Sequence, residues 1–109
     1  MTHIPGRILT LATLRKKGAC ASQRRLFKRR FGDRVRVTEA GCESVAIEFS
    51  FSWAASHLLS PQAYLHCGRD SGPIRADYAS GRISWDESRR ALARAFARAY
   101  IADGKWRKK

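Results

Sequence analysis

The C-terminal part of the chain carries the pattern of one long amphipathic helix. The run from Ser84 to Glu87 is typical of a capping box, in which a serine hydroxyl and a glutamate carboxylate each accept a bond from the other's backbone N–H. At 100° per residue the following apolar side chains gather on one side, namely Trp85, Leu92, Ala95, Phe96, Ala99 and Tyr100. We expect a helix from Trp85 to about Ala102 that ends at Gly104. Such a helix needs other elements to cover its single apolar stripe.

Further helices are predicted by start and stop signals along the first half of the chain. Thr10 is a good N-cap for a helix from Leu11 to about Lys17, and Gly18 is a good stop. A second helix is expected from about Cys20 to Phe31, ending at Gly32. One face of that helix is predicted to be buried through Cys20, Phe27 and Phe31. The alternating residues 35–37 are too few for a typical strand, so we interpret them as an extended connector.

The middle of the chain continues this pattern of short helices. Thr38 predicts the N-cap of a helix through about Phe49, and Ser52 predicts that of a helix over Trp53–Leu59. Pro61 is suited to the first position of a further helix. Three glycines and a proline predict that residues 68–82 form the loosest region, with one helical turn around 73–79. We expect an all-α fold: a single small domain (residues 1–104) of five or six short helices with a longer C-terminal helix, and a basic C-terminal tail (105–109).

Charge is the strongest functional signal in the sequence. The 109 residues include 22 Lys and Arg against 9 Asp and Glu, which gives a net charge of +13. The balance is +10 over residues 1–36, −3 over residues 37–68 and +6 over residues 69–109. This excess lies well beyond the net charge of about 2 to 8 that suits a small soluble domain. It indicates a polyanionic partner, namely nucleic acid or a nucleoprotein.

The candidate binding residues are the basic side chains of three segments. The second helix holds five cations within seven residues, the C-terminal helix repeats arginine every four residues, and the tail adds more. The predicted basic surface therefore consists of Arg24, Arg25, Lys28, Arg29, Arg30, Arg90, Arg94, Arg98, Lys105 and Arg107. The tail is suited to lying on phosphate or an acidic groove, and equally to serving as a solubilising end.

Catalytic and metal chemistry have little support in the sequence. No nucleophile elbow, phosphate-binding loop or zinc-protease motif is present, so we expect no enzyme activity and no cofactor. Cys20, Cys42, His66 and Cys67 could nominally hold zinc, and Cys67 could be paired with His57 as a nucleophile. Neither set has a supporting spacing, and a free cysteine on an apolar face behaves as a small hydrophobe. We therefore predict no metal site.

Apolar run lengths and cysteine spacing predict the cellular compartment of the protein. No apolar run approaches the roughly 20 residues of a membrane span, and the first 30 residues lack a long apolar signal segment. Three widely spaced cysteines do not form a disulfide framework. We expect a cytoplasmic protein with no membrane partner. A monomer and a homodimer are both compatible with the pattern.

Several motifs follow one another in a particular order and spacing. They are Gly18-Ala19-Cys20 with Gln23, Phe27 and Phe31-Gly32, then Val35-x-Val37-Thr38 with Cys42, Trp53-Ala54-Ala55 with Leu58-Leu59-Ser60-Pro61, and the closing run 95–101. Together they resemble a family of small, uncharacterised phage and prophage proteins. The resemblance covers most of residues 8–101 and implies a phage origin more than an activity. Arg24-Arg25 departs from it, since small or aliphatic residues are common there in such proteins.

Charge and resemblance lead to one functional expectation with one alternative. We expect a non-catalytic phage-type protein that binds nucleic acid or a host nucleoprotein complex. Its most concrete form is an anti-CRISPR inhibitor of a guide-RNA effector in the cytoplasm of a bacterial host. The alternative is a phage DNA-binding accessory or regulatory protein with a helix-turn-helix over Leu11 to Phe31 and Gly18 in the turn. The shortness of its first helix weighs against this alternative.

Overall fold

Six helices and a two-stranded β-ribbon make up the part of the chain that the structure describes. The structure is a computed structural model that describes residues 7–106, and the side chains of residues 7–103. In chain order the elements are β1 (Arg7–Thr10), α1 (Leu11–Lys16), α2 (Ala21–Phe31), β2 (Arg34–Val37), α3 (Glu39–Ser44), α4 (Phe51–Leu58), α5 (Pro61–Ala79) and α6 (Trp85–Trp106). The predicted small all-α globule with a long C-terminal helix is confirmed, and the ribbon is added to it.

The interpretation of residues 35–37 as an extended connector is wrong, because they belong to strand β2. This strand pairs antiparallel with β1 and places Leu9 opposite Val35. Leu9 and Val37 are buried, whereas Arg34 and Arg36 lie on the other, exposed face of the ribbon. The partner strand lies more than twenty residues earlier in the chain, so no local pattern could reveal the pairing.

Helices α1 and α2 start and turn close to where the sequence predicts. The Thr10 hydroxyl accepts the Thr13 N–H at 3.1 Å and caps α1. Gly18 has φ +87°, a left-handed conformation that favours glycine and turns the chain between the two helices. Cys20 is the exception, because it is exposed and not part of the buried stripe. It is the N-cap of α2 with extended backbone angles, so its side chain does not follow the helical periodicity.

The predicted helix from Thr38 to Phe49 is wrong in its second half. Thr38 caps α3 as predicted, since its hydroxyl accepts the Gly41 N–H at 3.0 Å. The N–H groups of Val45 and Ala46 then bond to carbonyls three residues earlier, both at 3.2 Å, and a series of turns replaces the helix. The next helix also starts earlier than predicted. Its N-cap is Ser50, not Ser52.

Helix α5 overturns the prediction of a loose region at residues 68–82. The helix begins at Pro61, as predicted, and continues without a break through Gly68, Gly72 and Pro73. One small side chain per turn is buried on its inner face, namely Ala63, Cys67 and Ser71, and α6 is its main neighbour. Close packing along α6 outweighs the local cost of glycine and proline, because propensity is a weak prior beside tertiary contacts.

Helix α6 lies at the centre of the core and contacts α3, α4, α5 and both strands. Its capping box is confirmed: the Glu87 N–H bonds to the Ser84 hydroxyl and the Ser84 N–H to the Glu87 carboxylate, both at 3.1 Å. These bonds, led by the one from the Ser84 backbone, lower the pKa of Glu87. Phe96 and Tyr100 are buried as predicted, whereas Trp85 in the first turn is half exposed.

The end of α6 also differs from the prediction. Gly104 does not stop the helix, which continues to Trp106 and so includes the first two residues of the predicted tail. Glycine costs only about 1 kcal/mol relative to alanine within a helix, which packing of the preceding turns readily offsets. The side chain of Lys105 and all of Arg107 lie outside the described residues.

Candidate nucleic-acid interface

The arginines repeated along α6 are all engaged by carboxylates of the protein itself. Arg90 pairs with Asp86 one turn earlier, at 3.4 Å. Arg94 pairs with Glu43 at 3.0 Å, and Arg98 pairs with Glu39 at 3.1 Å. Arg98 also reaches Asp70 of α5, at 3.9 Å. The stripe therefore forms a seam between α6 and its neighbours α3 and α5, with its charge largely compensated.

These contacts explain where the acidic centre of the chain goes. The only carboxylates of the segment 37–68 are Glu39, Glu43 and Glu48. The first two face the α6 arginines, and Glu48 pairs with Arg30 of α2. The three glutamates of this central segment are therefore paired with three arginines of the flanking segments. Among the other Lys and Arg side chains of residues 7–103, only Lys28, Arg82 and Arg90 have an ion pair, so the unpaired ones concentrate positive potential elsewhere on the surface.

Helix α2 carries the largest group of cations that the sequence predicts, and they fall into two kinds. Arg30 is paired with Glu48, and the Arg24 Nε donates to the Ala19 carbonyl at 3.1 Å, so both are held by the fold. Arg25 and Arg29 are exposed and make no ion pair with any side chain of residues 7–103. Lys28 has one long contact, 3.8 Å from Asp33, and both side chains are mostly exposed.

The structure adds three cations to this surface that the sequence analysis did not select. Arg34 and Arg36 project from the outer face of the ribbon, and Arg15 lies at the end of α1. All three are exposed and have no ion pair among the described side chains. The alternation in Arg34-Val35-Arg36-Val37 was the available signal. Interpreted as a strand, it places both arginines on one face.

An open groove of about 380 Å³ joins the three elements. Arg15 of α1, Lys28 of α2 and Arg34 of β2 line it, together with Asp33 as its one acid. Arg25 lies one turn before Lys28 on the same side of α2, and Arg29 lies one turn after Arg25. We call this surface the cationic face, defined as Arg15, Arg25, Lys28, Arg29, Arg34 and Arg36.

Two further arginines are structural and do not contribute to the cationic face. The Arg7 guanidinium lies 4.1 Å from the centroid of the Tyr100 ring and donates to the Tyr100 carbonyl at 2.8 Å. Arg89 donates to the Phe49 carbonyl at 2.8 Å and lies over Trp85. Both side chains are partly buried and tie α6 to its neighbours. The division between held and free arginines is therefore set by tertiary contacts.

All three cysteines are free thiols. Cys42 and Cys67 are buried, and no three His, Cys, Asp or Glu side chains gather as metal ligands within the described part of the chain. Burial raises the pKa of Cys42 to about 12 and raises that of Cys67. The exposed Cys20 differs, because the hydrogen bond with the Ser22 hydroxyl lowers its pKa.

These environments predict which thiol reacts first. At about pH 8 we expect a disulfide reagent to modify one thiol per folded chain rapidly. This thiol is Cys20, because it is exposed and its lowered pKa increases the fraction of reactive thiolate. Cys42 and Cys67 should react only after unfolding in denaturant. Release of the reagent's chromophore measures both phases. Cys20→Ser should abolish the rapid phase, and two rapidly reacting thiols in the native protein would contradict the buried positions.

No helix among the described residues is both long and apolar enough to cross a membrane. Comparison of the chain with protein-family models, curated proteins and solved structures finds no match.

Proposed function

We propose that the protein is a non-catalytic binding module that engages nucleic acid, or a nucleoprotein, through the cationic face. The observation that carries this proposal is the separation of its charges. The α6 arginines are paired with Asp86, Glu43, Glu39 and Asp70. Of the six cations of the cationic face, three line the groove with Asp33 as its one acid, and among the described side chains only Lys28 of the six has an ion pair.

The chemistry of the face suits a phosphate backbone. Six like charges on one small surface repel one another in the free protein, and a polyanion relieves that repulsion. Guanidinium groups can also bind phosphate oxygens in a bidentate manner. Contacts of this kind release counterions from the nucleic acid, so affinity must fall as salt rises.

Two matched triple variants test the proposal, because each removes three positive charges. Arg25→Gln, Arg29→Gln and Arg34→Gln alter the cationic face, and the control carries Arg90→Gln, Arg94→Gln and Arg98→Gln. Fluorescence anisotropy with labelled DNA and RNA between about 50 and 200 mM salt measures both affinity and salt slope. We expect the first triple to weaken binding about tenfold or more and to reduce the slope by about three. The control should remain within about threefold of the wild-type affinity.

Two results would contradict the proposal. The first is that no nucleic acid binds at low salt, or that binding is indifferent to salt. The second is an equal loss in both triples, since this would mean that only net charge matters and that no face is selected. Circular dichroism of both triples checks that the helices remain folded, because the α6 arginines make surface ion pairs that contribute up to about 1 kcal/mol each.

The most concrete form of this proposal is an anti-CRISPR inhibitor acting in the cytoplasm of a bacterial host. Its support is the resemblance of residues 8–101 to small phage proteins, together with a face suited to a nucleic-acid-laden complex. Adding the protein to a purified guide-RNA effector should abolish target-DNA binding in a gel-shift assay. Full target binding at a saturating concentration of the protein would exclude this form for that effector class.

A phage DNA-binding accessory or regulatory protein is the second candidate, and the geometry of α1 and α2 favours it. The two helices are joined by a tight turn at Gly18, as the helix-turn-helix expectation requires. α1 has only six residues, so it offers less surface to the DNA backbone than α2 does. Binding to free DNA without binding to an effector complex would separate this candidate from the inhibitor.

A further inference from the structure

Helix α2 is the most open element of the cationic face. Only Phe27 of its eleven residues is buried, and its main neighbours are α1 and β2. Its solvent side runs from Ala21 and Ser22 through Arg25 to Lys28 and Arg29, which are all exposed. This side of α2 therefore has small side chains at its start and long cationic side chains further along, and it is open to a partner.

The ribbon extends the same face beyond the end of α2. Gly32 ends the helix, and the chain enters β2 two residues later. Ile8, Thr10, Arg34 and Arg36 share the outer side of the ribbon, because directly opposed residues of an antiparallel pair point the same way. A helix and a two-stranded ribbon therefore present cations side by side, linked by the groove at Lys28 and Arg34.

Aromatic side chains are not available on this face. The aromatic residues of α1, α2 and the ribbon are Phe27 and Phe31, and both pack in the core. Phe31 is further occupied by stacking on Phe49, with ring centroids 6.0 Å apart. Within residues 7–103, the exposed aromatic side chains are Tyr64, Tyr78 and Trp85, which belong to α5 and α6. Proteins that bind single strands stack bases on exposed rings, so this face is better suited to a duplex backbone.

Groove dimensions then distinguish the two kinds of duplex. The major groove of B-form DNA is about 12 Å wide and admits an α-helix or a two-stranded ribbon. The major groove of an RNA duplex is too narrow for side chains to read. Resting on the proposed function, we infer that the ligand of the cationic face is B-form duplex DNA, with α2 against the major groove and the ribbon arginines on the flanking phosphates.

Four ligands of one base sequence and equal length test this inference with the full chain. They are a DNA duplex, an RNA duplex, single-stranded DNA and single-stranded RNA, each of about 20 nucleotides per strand and labelled for anisotropy at about 100 mM salt. We expect the DNA duplex to bind at least about tenfold more tightly than any of the others.

A matched pair of double variants tests the role of α2. Arg25→Ala with Arg29→Ala should reduce the salt slope for the DNA duplex by about two. Arg69→Ala with Arg75→Ala removes the same charge from exposed positions on α5 and should leave the slope unchanged.

The outcomes separate this inference from the proposed function. Tighter or equal binding of the RNA duplex or of either single strand would overturn the duplex-DNA inference and leave the nucleic-acid function standing. An equal change of slope in both double variants would also overturn it, because α2 would then make no special contact. Absence of binding to all four ligands would contradict both the duplex-DNA inference and the proposed nucleic-acid function.

Discussion

Replacing Phe96 by alanine should lower the free energy of unfolding by about 4 kcal/mol, the largest loss that we expect from one substitution. The side chain is 2% exposed and lies in the part of α6 that most of the fold surrounds. Its ring stacks on Tyr100 and packs against Phe51, with centroids 5.6 Å apart in both pairs. Truncation removes these contacts and leaves a cavity that the neighbouring helices can fill only partly.

Urea denaturation followed by tryptophan fluorescence measures this loss. A domain of this size has a total stability of about 5–15 kcal/mol, so the variant should retain about 1–11 kcal/mol and unfold at a clearly lower urea concentration. Tyr64→Ala is the matched control, because it removes an aromatic side chain that is 51% exposed on α5. We expect its effect to stay within about 0.5 kcal/mol. A loss below about 1 kcal/mol for Phe96→Ala would contradict the core arrangement.

Asp103→Ala should lower the free energy of unfolding by about 3 kcal/mol. Asp103 is fully buried near the end of α6, and its carboxylate accepts the Ser60 N–H at 3.0 Å and the Ser60 hydroxyl at 2.7 Å. Ser60 in turn caps α5 by accepting the Ala63 N–H at 3.2 Å. The substitution leaves the partly buried Ser60 N–H and hydroxyl without this acceptor and releases the side chain that caps α5.

A double-mutant cycle with Ser60→Ala assigns this effect to the contact itself. We expect a coupling energy of about 1–3 kcal/mol, because the two residues share one hydrogen-bonded network. Asp86→Ala is the control for removing an acid from α6, since its ion pair with Arg90 is about half exposed. Its cost should stay below about 1 kcal/mol. Additive effects of Asp103→Ala and Ser60→Ala would show that the carboxylate does not anchor α5.

The sequence determined those features whose physics is local. The caps at Thr10 and Thr38 are predicted and observed, because a side-chain oxygen bonds to an N–H only three residues away. The capping box of α6 and the left-handed turn at Gly18 belong to the same class. The exposure of Arg25 and Arg29 also follows from helical periodicity, once Phe27 is placed inside.

Tertiary structure alone decided the ribbon, the continuity of α5 and the division of the cations. The ribbon needs a strand partner distant in the chain, and α5 spans two glycines and a proline because α6 lies along it. The net charge of +13 is the same in any fold. Which cations stay free depends on where Glu39, Glu43 and Glu48 meet arginines from the two ends of the chain. Such pairs form between residues far apart in the sequence, and the sequence pattern does not show which of these residues the fold brings together.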